Sequence, residues 1–152
     1  MAGCFICEKH EGTITTDGVV IFEDDLLYVG HIDRQGEPNY KGHLMIDLKR
    51  HVRSLADMTI EEAQAWGVMM MQLSQALTDV TGADHIYALV SGNSVPHLHM
   101  HVVARYPGTP RAYWGPMDVY DWEEAPFVQR DELIRFCHDV TTALAYRRGE
   151  AS

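Results

Sequence analysis

The stretch Pro96-His-Leu-His-Met-His-Val-Val103 alternates histidines with apolar residues and decides the fold around it. In a β-strand successive side chains point to opposite faces, so the alternation predicts a strand that carries His97, His99 and His101 on one face. The apolar residues between them would anchor the other face in a hydrophobic core. Side chains two positions apart lie about 6.5–7 Å from each other, so one bound group such as a phosphate can contact neighbouring rings. The sequence therefore predicts a rigid row of three imidazoles.

Four other apolar runs predict the remaining strands of a sheet. The first two flank Glu23-Asp24-Asp25 and indicate a hairpin, while polar loops at 33–39 and 91–94 separate later runs. Together with the histidine segment, the predicted strands are Val19–Phe22, Leu26–Val29, Leu44–Leu48, Ile86–Val90 and Leu98–Val103.

Two helices are predicted by apolar periodicity and by end signals. Thr59 and Glu62 form a capping-box pattern, and apolar residues follow at three- and four-residue spacing until Thr81-Gly82. A second amphipathic segment runs from Asp131 to about Tyr146, and its expected buried stripe is Leu133, Ile134, Cys137, Val140 and Leu144. The expected fold class is α+β, with an antiparallel sheet of about five strands and two main helices.

Length and composition are those of one globular domain, 1–152. The chain has 152 residues, of which 46% are hydrophobic and 22% charged, and no apolar run is long enough to cross a bilayer. The N-terminus lacks the basic flank and apolar core of a secretory signal, so we expect a cytoplasmic protein with no membrane partner. A net charge of −10 argues against binding to long nucleic acid, which requires a basic face.

The pair Cys4-Phe-Ile-Cys7 lies near the N-terminus, and the third cysteine, Cys137, lies within the second predicted helix. Three cysteines do not make a secreted disulfide framework, and a closely spaced pair in a cytosolic protein indicates a metal or redox role. A reduced pair without metal is the alternative. We expect Cys137 to be a small buried apolar residue.

Three histidines at two-residue spacing allow three interpretations. They are a purely structural motif, a zinc site of the kind built on three histidines, and a site where a neutral imidazole attacks phosphorus. Packing alone explains the pattern least well, because histidine is seldom needed in a core. The aromatic residues between Arg111 and Trp122 either stack on a base or pack against the protein or a second subunit.

The segment His97–Val103 resembles the motif of the histidine-triad (HIT) family of nucleotide hydrolases and transferases. The resemblance covers most of the first 115 residues, through Cys4-x-x-Cys7, Phe22–Asp25, Gly42–Ile46, His51, the capped helix from Thr59, Gly92–Val95, Arg105–Pro110 and Tyr113–Gly115. It implies a HIT-like fold and a homodimer whose two sheets join into ten strands.

The resemblance also implies a reaction in which His99, His101, His97 and His43 are the catalytic residues. His99 would attack the α-phosphate of a purine nucleotide, giving a nucleotidyl-histidine that water hydrolyses. His101 and His43 would form hydrogen bonds with the phosphate oxygens. The Ser94 hydroxyl would donate a hydrogen bond near the leaving atom. The implied substrates are nucleoside phosphoramidates or dinucleoside polyphosphates, and this chemistry requires no metal.

A separate structural zinc site is implied by the family's zinc-binding members. Cys4 and Cys7 would supply two ligands, and His51 and His97 would complete the tetrahedron. In that case His97 orients the strand and does not join the reaction directly.

The sequence departs from the family pattern before the triad. The loop Ser91–Val95 is compact, and Asn93 stands where glutamine is usual, one methylene shorter than the family's phosphate-binding amide. The family's ribose-binding acidic residue falls near His31 to Asp33.

Two alternative functions remain open: a catalytically weak nucleotide-binding module or sensor, and a zinc-dependent hydrolase using the three histidines.

Overall fold

An antiparallel sheet of five strands forms the centre of the molecule in a computed structural model that describes residues 2–16, 18–32 and 34–150. The elements in chain order are α1 (Phe5–Glu11), β1 (Val19–Glu23), β2 (Leu27–His31), β3 (Asn39–Tyr40), β4 (His43–Leu48), α2 (Ile60–Thr81), β5 (His85–Leu89), β6 (His99–Arg105), β7 (Phe127–Val128) and α3 (Arg130–Arg147). The predicted α+β class and the five main strands are confirmed. Asp33, part of the predicted ribose-binding position, lies outside the described residues.

The sheet has the strand order β1-β2-β4-β6-β5, and its register aligns the polar positions of two central strands. In the β4–β6 pair, Met45 lies opposite His101, and Asp47 lies opposite His99. Paired side chains in an antiparallel sheet share a face, so these four residues lie on one side. The opposite side carries buried apolar residues of both strands, including Ile46 and Val102.

Helices α2 and α3 cover this apolar side and complete the main core. The predicted capping box begins α2: the Glu62 N–H donates to Thr59 Oγ1 at 3.1 Å, and the Thr59 N–H donates to Glu62 Oε1 at 2.9 Å. Helix α3 follows the predicted bounds within one residue. Its buried stripe differs from the prediction, because Ile134 is 44% exposed while Phe136 is buried. No helix among the described residues has the length and apolarity that a membrane span requires.

The prediction of two main helices missed the third, α1, on the opposite face of the sheet. Its seven residues are too few for apolar periodicity to show. Its N-cap is Cys4, whose sulfur accepts from the Cys7 N–H at 3.5 Å, and cysteine is not a usual capping residue. The prediction also missed the two-stranded sheet of β3 and β7. Each of these strands has only two residues, so no alternation is visible.

Candidate active site and metal cluster

His99 begins strand β6 with one ring nitrogen bound to the backbone. Its Nδ1–H donates to the His97 carbonyl oxygen at 2.7 Å, since a carbonyl can only accept. In the neutral form of this ring, Nε2 therefore holds the lone pair. The ring is 5% exposed and packs edge-on against His101, with centroids 5.2 Å apart. This arrangement leaves a nucleophilic nitrogen on the polar side of the sheet.

A second group of rings, Tyr120, His43 and His101, forms what we call the hydrogen-bond series. His43 Nδ1 lies 2.5 Å from the Tyr120 hydroxyl, and His43 Nε2 lies 2.9 Å from His101 Nδ1. Burial, with His101 and His31 nearby, lowers the pKa of His43 to about 3. Burial and the neighbouring His99 also lower the pKa of His101. Both imidazoles are therefore neutral near pH 7.

His97 differs in position from the other two histidines of the predicted row. Strand β6 starts at His99, and the chain bends at His97, whose ring is 1% exposed and faces Cys4 and Cys7. Strand β6 therefore contains two of the three imidazoles, and His97 lies just before it, with its ring 5.8 Å from that of His10, which contacts Asp47 on the polar side. The bend ends the extended backbone on which the alternation rule depends.

A cavity of about 290 Å³ opens beside the hydrogen-bond series. His43 and His101 are among the residues that line it, and the wall is mostly apolar, including Phe5, Tyr28 and Met45. This combination of an apolar wall and a few polar groups is typical of a small-molecule site. Asn93 and Ser94, predicted to bind nucleotide, are exposed on the loop before the triad and are not among the described residues that line the cavity.

Lys9 brings a positive charge to the same cavity from helix α1. Its Nζ donates to Asp47 Oδ2 at 2.6 Å and lies 4.8 Å from the centre of the Tyr28 ring. Burial would raise the pKa of Asp47, but hydrogen bonds with His10 and Lys9 outweigh it and hold that pKa below its usual value. An ion pair thus lies on the polar face, opposite His99 in the β4–β6 register.

Four side chains predicted as metal ligands converge on one point and are called here the metal cluster: Cys4, Cys7, His51 and His97. Their ligand atoms all lie within 4.8 Å of one another. The His97 Nδ1 is 3.4 Å from each sulfur, His51 Nδ1 is 3.3 Å from Cys7 Sγ, and the two Nδ1 atoms are 3.2 Å apart. Tetrahedral zinc places its nitrogen and sulfur ligands roughly 3.3–3.6 Å apart, so the cluster fits this ion.

The orientation of His97 supports metal binding and argues against zinc held by the three triad histidines. Its Nε2–H donates to the Leu48 carbonyl oxygen at 2.6 Å, which leaves the lone pair on Nδ1, toward the sulfurs. Such an outer hydrogen bond is typical of metal-bound histidine. His97 therefore has no nitrogen left to join His99 and His101 around a common ion.

Three site residues on the polar side of the sheet were not predicted from the sequence: Lys9, Asp47 and Tyr120. Asp47 carried a signal, because it interrupts an apolar strand, and a buried carboxylate requires a partner. Tyr120 lay within the aromatic segment singled out above, but nothing local connects it to His43, 77 positions away.

Residues 14–108 match the protein-family model described as "HIT domain". The Bis(5'-adenosyl)-triphosphatase of Saccharomyces cerevisiae is 32% identical over 76 residues, which are 46% of this chain and 37% of that protein. The matched part thus spans little more than a third of these curated relatives.

Similar solved structures extend over nearly the whole chain. A hypothetical histidine triad nucleotide-binding protein from Sulfolobus tokodaii has a TM-score of 0.71 at 15% identity, covering 94% of this chain and 93% of that one. A Zn-bound histidine triad family protein from Mycobacterium smegmatis has a TM-score of 0.70 at 20% identity, covering 97% and 96%. At these identities the matches establish the fold.

Proposed function

Because this chain belongs to the HIT-domain family of nucleotide hydrolases and transferases, we propose that it cleaves the bond between a nucleoside α-phosphate and its substituent through a covalent intermediate on His99. The observation that carries the proposal is the hydrogen bond from His99 Nδ1 to the His97 carbonyl oxygen, at 2.7 Å. It holds the ring in one orientation and leaves the Nε2 lone pair for attack.

In the first step His99 Nε2 forms a bond to the α-phosphorus while the bond to the leaving group breaks. The leaving group departs with the bonding electron pair and takes a proton from solvent. In the second step water attacks the same phosphorus and loses a proton to solvent, the N–P bond breaks with its electron pair returning to Nε2 of His99, and the nucleotide leaves with the water oxygen. His101 donates to the phosphate oxygens throughout, which stabilises the charge that develops there.

His43 acts on the substrate through His101 in this proposal. Both of its nitrogens are engaged, Nδ1 with Tyr120 and Nε2 with His101, so neither is free for a phosphate oxygen. His97 is likewise engaged at both nitrogens and contributes its carbonyl oxygen to the orientation of His99. Asn93 and Ser94 would contact the leaving-group side, from the exposed loop.

Two substrate classes fit the proposal: purine nucleoside phosphoramidates and dinucleoside polyphosphates. The yeast relative's name, Bis(5'-adenosyl)-triphosphatase, supports the second class. The apolar cavity that His43 and His101 help to line suits a nucleoside, and the α-phosphate would lie beside these two histidines.

The metal cluster would hold a structural zinc ion. Zinc there would fix the start of helix α1 to the sheet, since Cys4 and Cys7 bracket the first turn and His51 and His97 belong to other segments. The reaction does not use it. Thiol ligands must stay reduced, and the three cysteines are free, which supports a cytoplasmic location.

The test of the function is turnover of adenosine phosphoramidate and diadenosine tetraphosphate by the wild type and by His99→Ala. We expect turnover of at least one substrate, an acid-labile nucleotidyl adduct in the wild type, and neither in His99→Ala. His138→Ala, at an exposed position on α3, is the control and should match the wild type. Ordinary turnover by His99→Ala would refute covalent catalysis, and tight nucleotide binding without turnover by the wild type would favour a sensor.

We also propose a homodimer in which strand β5 pairs with its copy in a second subunit. β5 lies at the edge of the five-stranded sheet, and Val68 and Met71 on the adjacent helix α2 are 50% and 49% exposed. An open sheet edge beside exposed apolar side chains is suited to pairing. Analytical ultracentrifugation at micromolar concentration should show a dimer for the wild type and a monomer for Val68→Glu/Met71→Glu. A monomeric wild type would refute the pairing.

A further inference from the structure

Tyr120 reaches the polar side of the sheet, which carries His99 and His101 and is called here the reactive face, from a part of the chain that the HIT-domain match does not include, since that match ends at residue 108. It lies in the short turn Asp118–Asp121, and its hydroxyl is 2.5 Å from His43 Nδ1. The Arg34 guanidinium lies 5.3 Å from the centre of its ring, and the Phe127 ring packs 5.8 Å away. The Tyr120 ring thus packs against both of these side chains.

The direction of the hydrogen bond between Tyr120 and His43 follows from acid and base strength. A phenol O–H is a good donor but its oxygen is a weak acceptor, whereas an unprotonated imidazole nitrogen is a good acceptor. His43 Nδ1 is the hydrogen-bond partner that the described structure gives to this hydroxyl. Tyr120 therefore donates, and Nδ1 of His43 carries no proton.

The rest of the series is then determined. A neutral His43 without a proton on Nδ1 carries it on Nε2, which donates to His101 Nδ1 at 2.9 Å. His101 in turn carries its own proton on Nε2. Because His101 Nδ1 faces His43, Nε2 is the nitrogen left for a ligand in the cavity that His101 lines.

We propose that Tyr120 is a positioning residue: its hydroxyl sets the direction of the hydrogen-bond series and so presents the N–H of His101 Nε2, rather than a lone pair, to the phosphate. The catalytic part of this inference rests on the proposed function, while the direction of the series does not. The low pKa values of both imidazoles support it, since each ring then carries one proton near pH 7. With Tyr120 removed, His43 could carry its proton on either nitrogen, and His101 would present a lone pair part of the time.

Nitrogen NMR of ¹⁵N-histidine-labelled protein tests the direction without any substrate. In the wild type we expect His43 and His101 each to be protonated on Nε2 and unprotonated on Nδ1. In Tyr120→Phe we expect a mixture of the two tautomers at both residues. A wild-type His43 protonated on Nδ1 would overturn the inference, and this spectrum is decisive even where the variant folds poorly.

Steady-state kinetics test the consequence for the reaction. We expect Tyr120→Phe to lower kcat about tenfold or more and to leave KM within about twofold, because the lost donor matters most for charge that develops in the transition state. The matched control is Tyr106→Phe, which removes a hydroxyl of the same aromatic cluster that donates to the Lys41 carbonyl oxygen at 2.7 Å.

The outcomes separate this inference from the proposed function. An unchanged kcat in Tyr120→Phe, or an equal loss in Tyr106→Phe, would overturn the positioning role. A wild type that hydrolyses neither substrate would overturn the proposed function and with it the catalytic role of Tyr120. The direction of the series would then still be decided by the wild-type NMR spectrum.

Discussion

The metal cluster and the reactive face are neighbours built from one motif, yet their histidines offer opposite nitrogens. His97 donates from Nε2 to the Leu48 carbonyl and turns Nδ1 toward the cysteines. His99, two positions later, donates from Nδ1 to the His97 carbonyl and keeps Nε2 free. One backbone acceptor, placed on one side of a ring or the other, thus decides whether a histidine is suited to bind a metal or to attack phosphorus.

The two regions also differ in how their donor atoms are arranged. In the metal cluster the ligand atoms converge on a single point, while in the hydrogen-bond series each nitrogen faces a different partner in line. Ligand atoms that converge on one point can bind a metal ion. Hydrogen-bonding atoms arranged one after another determine which nitrogen of each ring carries the proton. We therefore expect variants of the first region to change stability and variants of the second to change turnover.

The largest expected effect separates the two regions most sharply. Cys4→Ser/Cys7→Ser should reduce bound zinc from about one equivalent per chain to near zero and lower the unfolding free energy by about 3 kcal/mol or more. Turnover of the folded fraction should stay within roughly threefold, because neither sulfur faces the cavity. Metal analysis, urea unfolding and kinetics measure these three quantities. A loss of turnover comparable to that of His99→Ala would show that the regions are not separate.

His97→Ala examines the residue that belongs to both regions. The variant loses the imidazole and keeps the carbonyl that orients His99, so zinc affinity should fall by at least about 100-fold while kcat falls by no more than about fivefold. Competition with a chelator gives the affinity, and steady-state kinetics give kcat. Should kcat fall a thousandfold, the His97 side chain would itself take part in the reaction.

Acid should destabilise the folded protein through two buried neutral histidines, His43 on the polar side of the sheet and His31, whose ring packs against Phe136 of α3. Burial lowers the pKa of His31 to about 4 and that of His43 to about 3, so between pH 6.5 and about 4 the unfolded chain binds protons that the folded chain does not. The free energy of unfolding is therefore unaffected by these groups above about pH 6.5. As the pH decreases from 6.5 towards 4, each of the two groups lowers it by about 1.4 kcal/mol per pH unit.

The variant His31→Gln isolates one of these contributions. Urea unfolding at several pH values between 7 and 4.5 should give a slope about 1.4 kcal/mol per pH unit smaller than in the wild type. Acid loss of the metal affects both proteins and cancels in this difference. Equal slopes would mean that His31 is protonated in the folded protein.

The smallest expected effect concerns Lys9, which lies on the helix of the metal cluster but lines the cavity. Lys9→Gln removes a positive charge from the cavity proposed to bind the nucleotide, and we expect KM to rise by about three- to tenfold with little change in kcat. Lys49→Gln, which breaks the surface ion pair with Glu23, is the control. If KM is unchanged, the charge of Lys9 serves Asp47 alone.

Much of the fold was predictable because its signals are local. The strands and the two long helices follow from side-chain periodicity, and the start of α2 follows from Thr59 and Glu62, which lie within one helical turn. Helix α1 was not predictable in this way, since its cap is a cysteine and its stripe is too short. The spacing placed His97 within the strand, whereas a bend there makes β6 begin at His99.

The sequence by itself determined the residue types at the site and, through resemblance, the family and the histidine expected to react. Only the tertiary structure decided which nitrogen each histidine offers, because the deciding partners are a carbonyl of β4 for His97 and a tyrosine 77 positions away for His43. Periodicity reports which face of an element a side chain occupies. The place of a proton depends on the hydrogen-bond acceptor that another segment brings within 3 Å, and that is fixed only when the chain has folded.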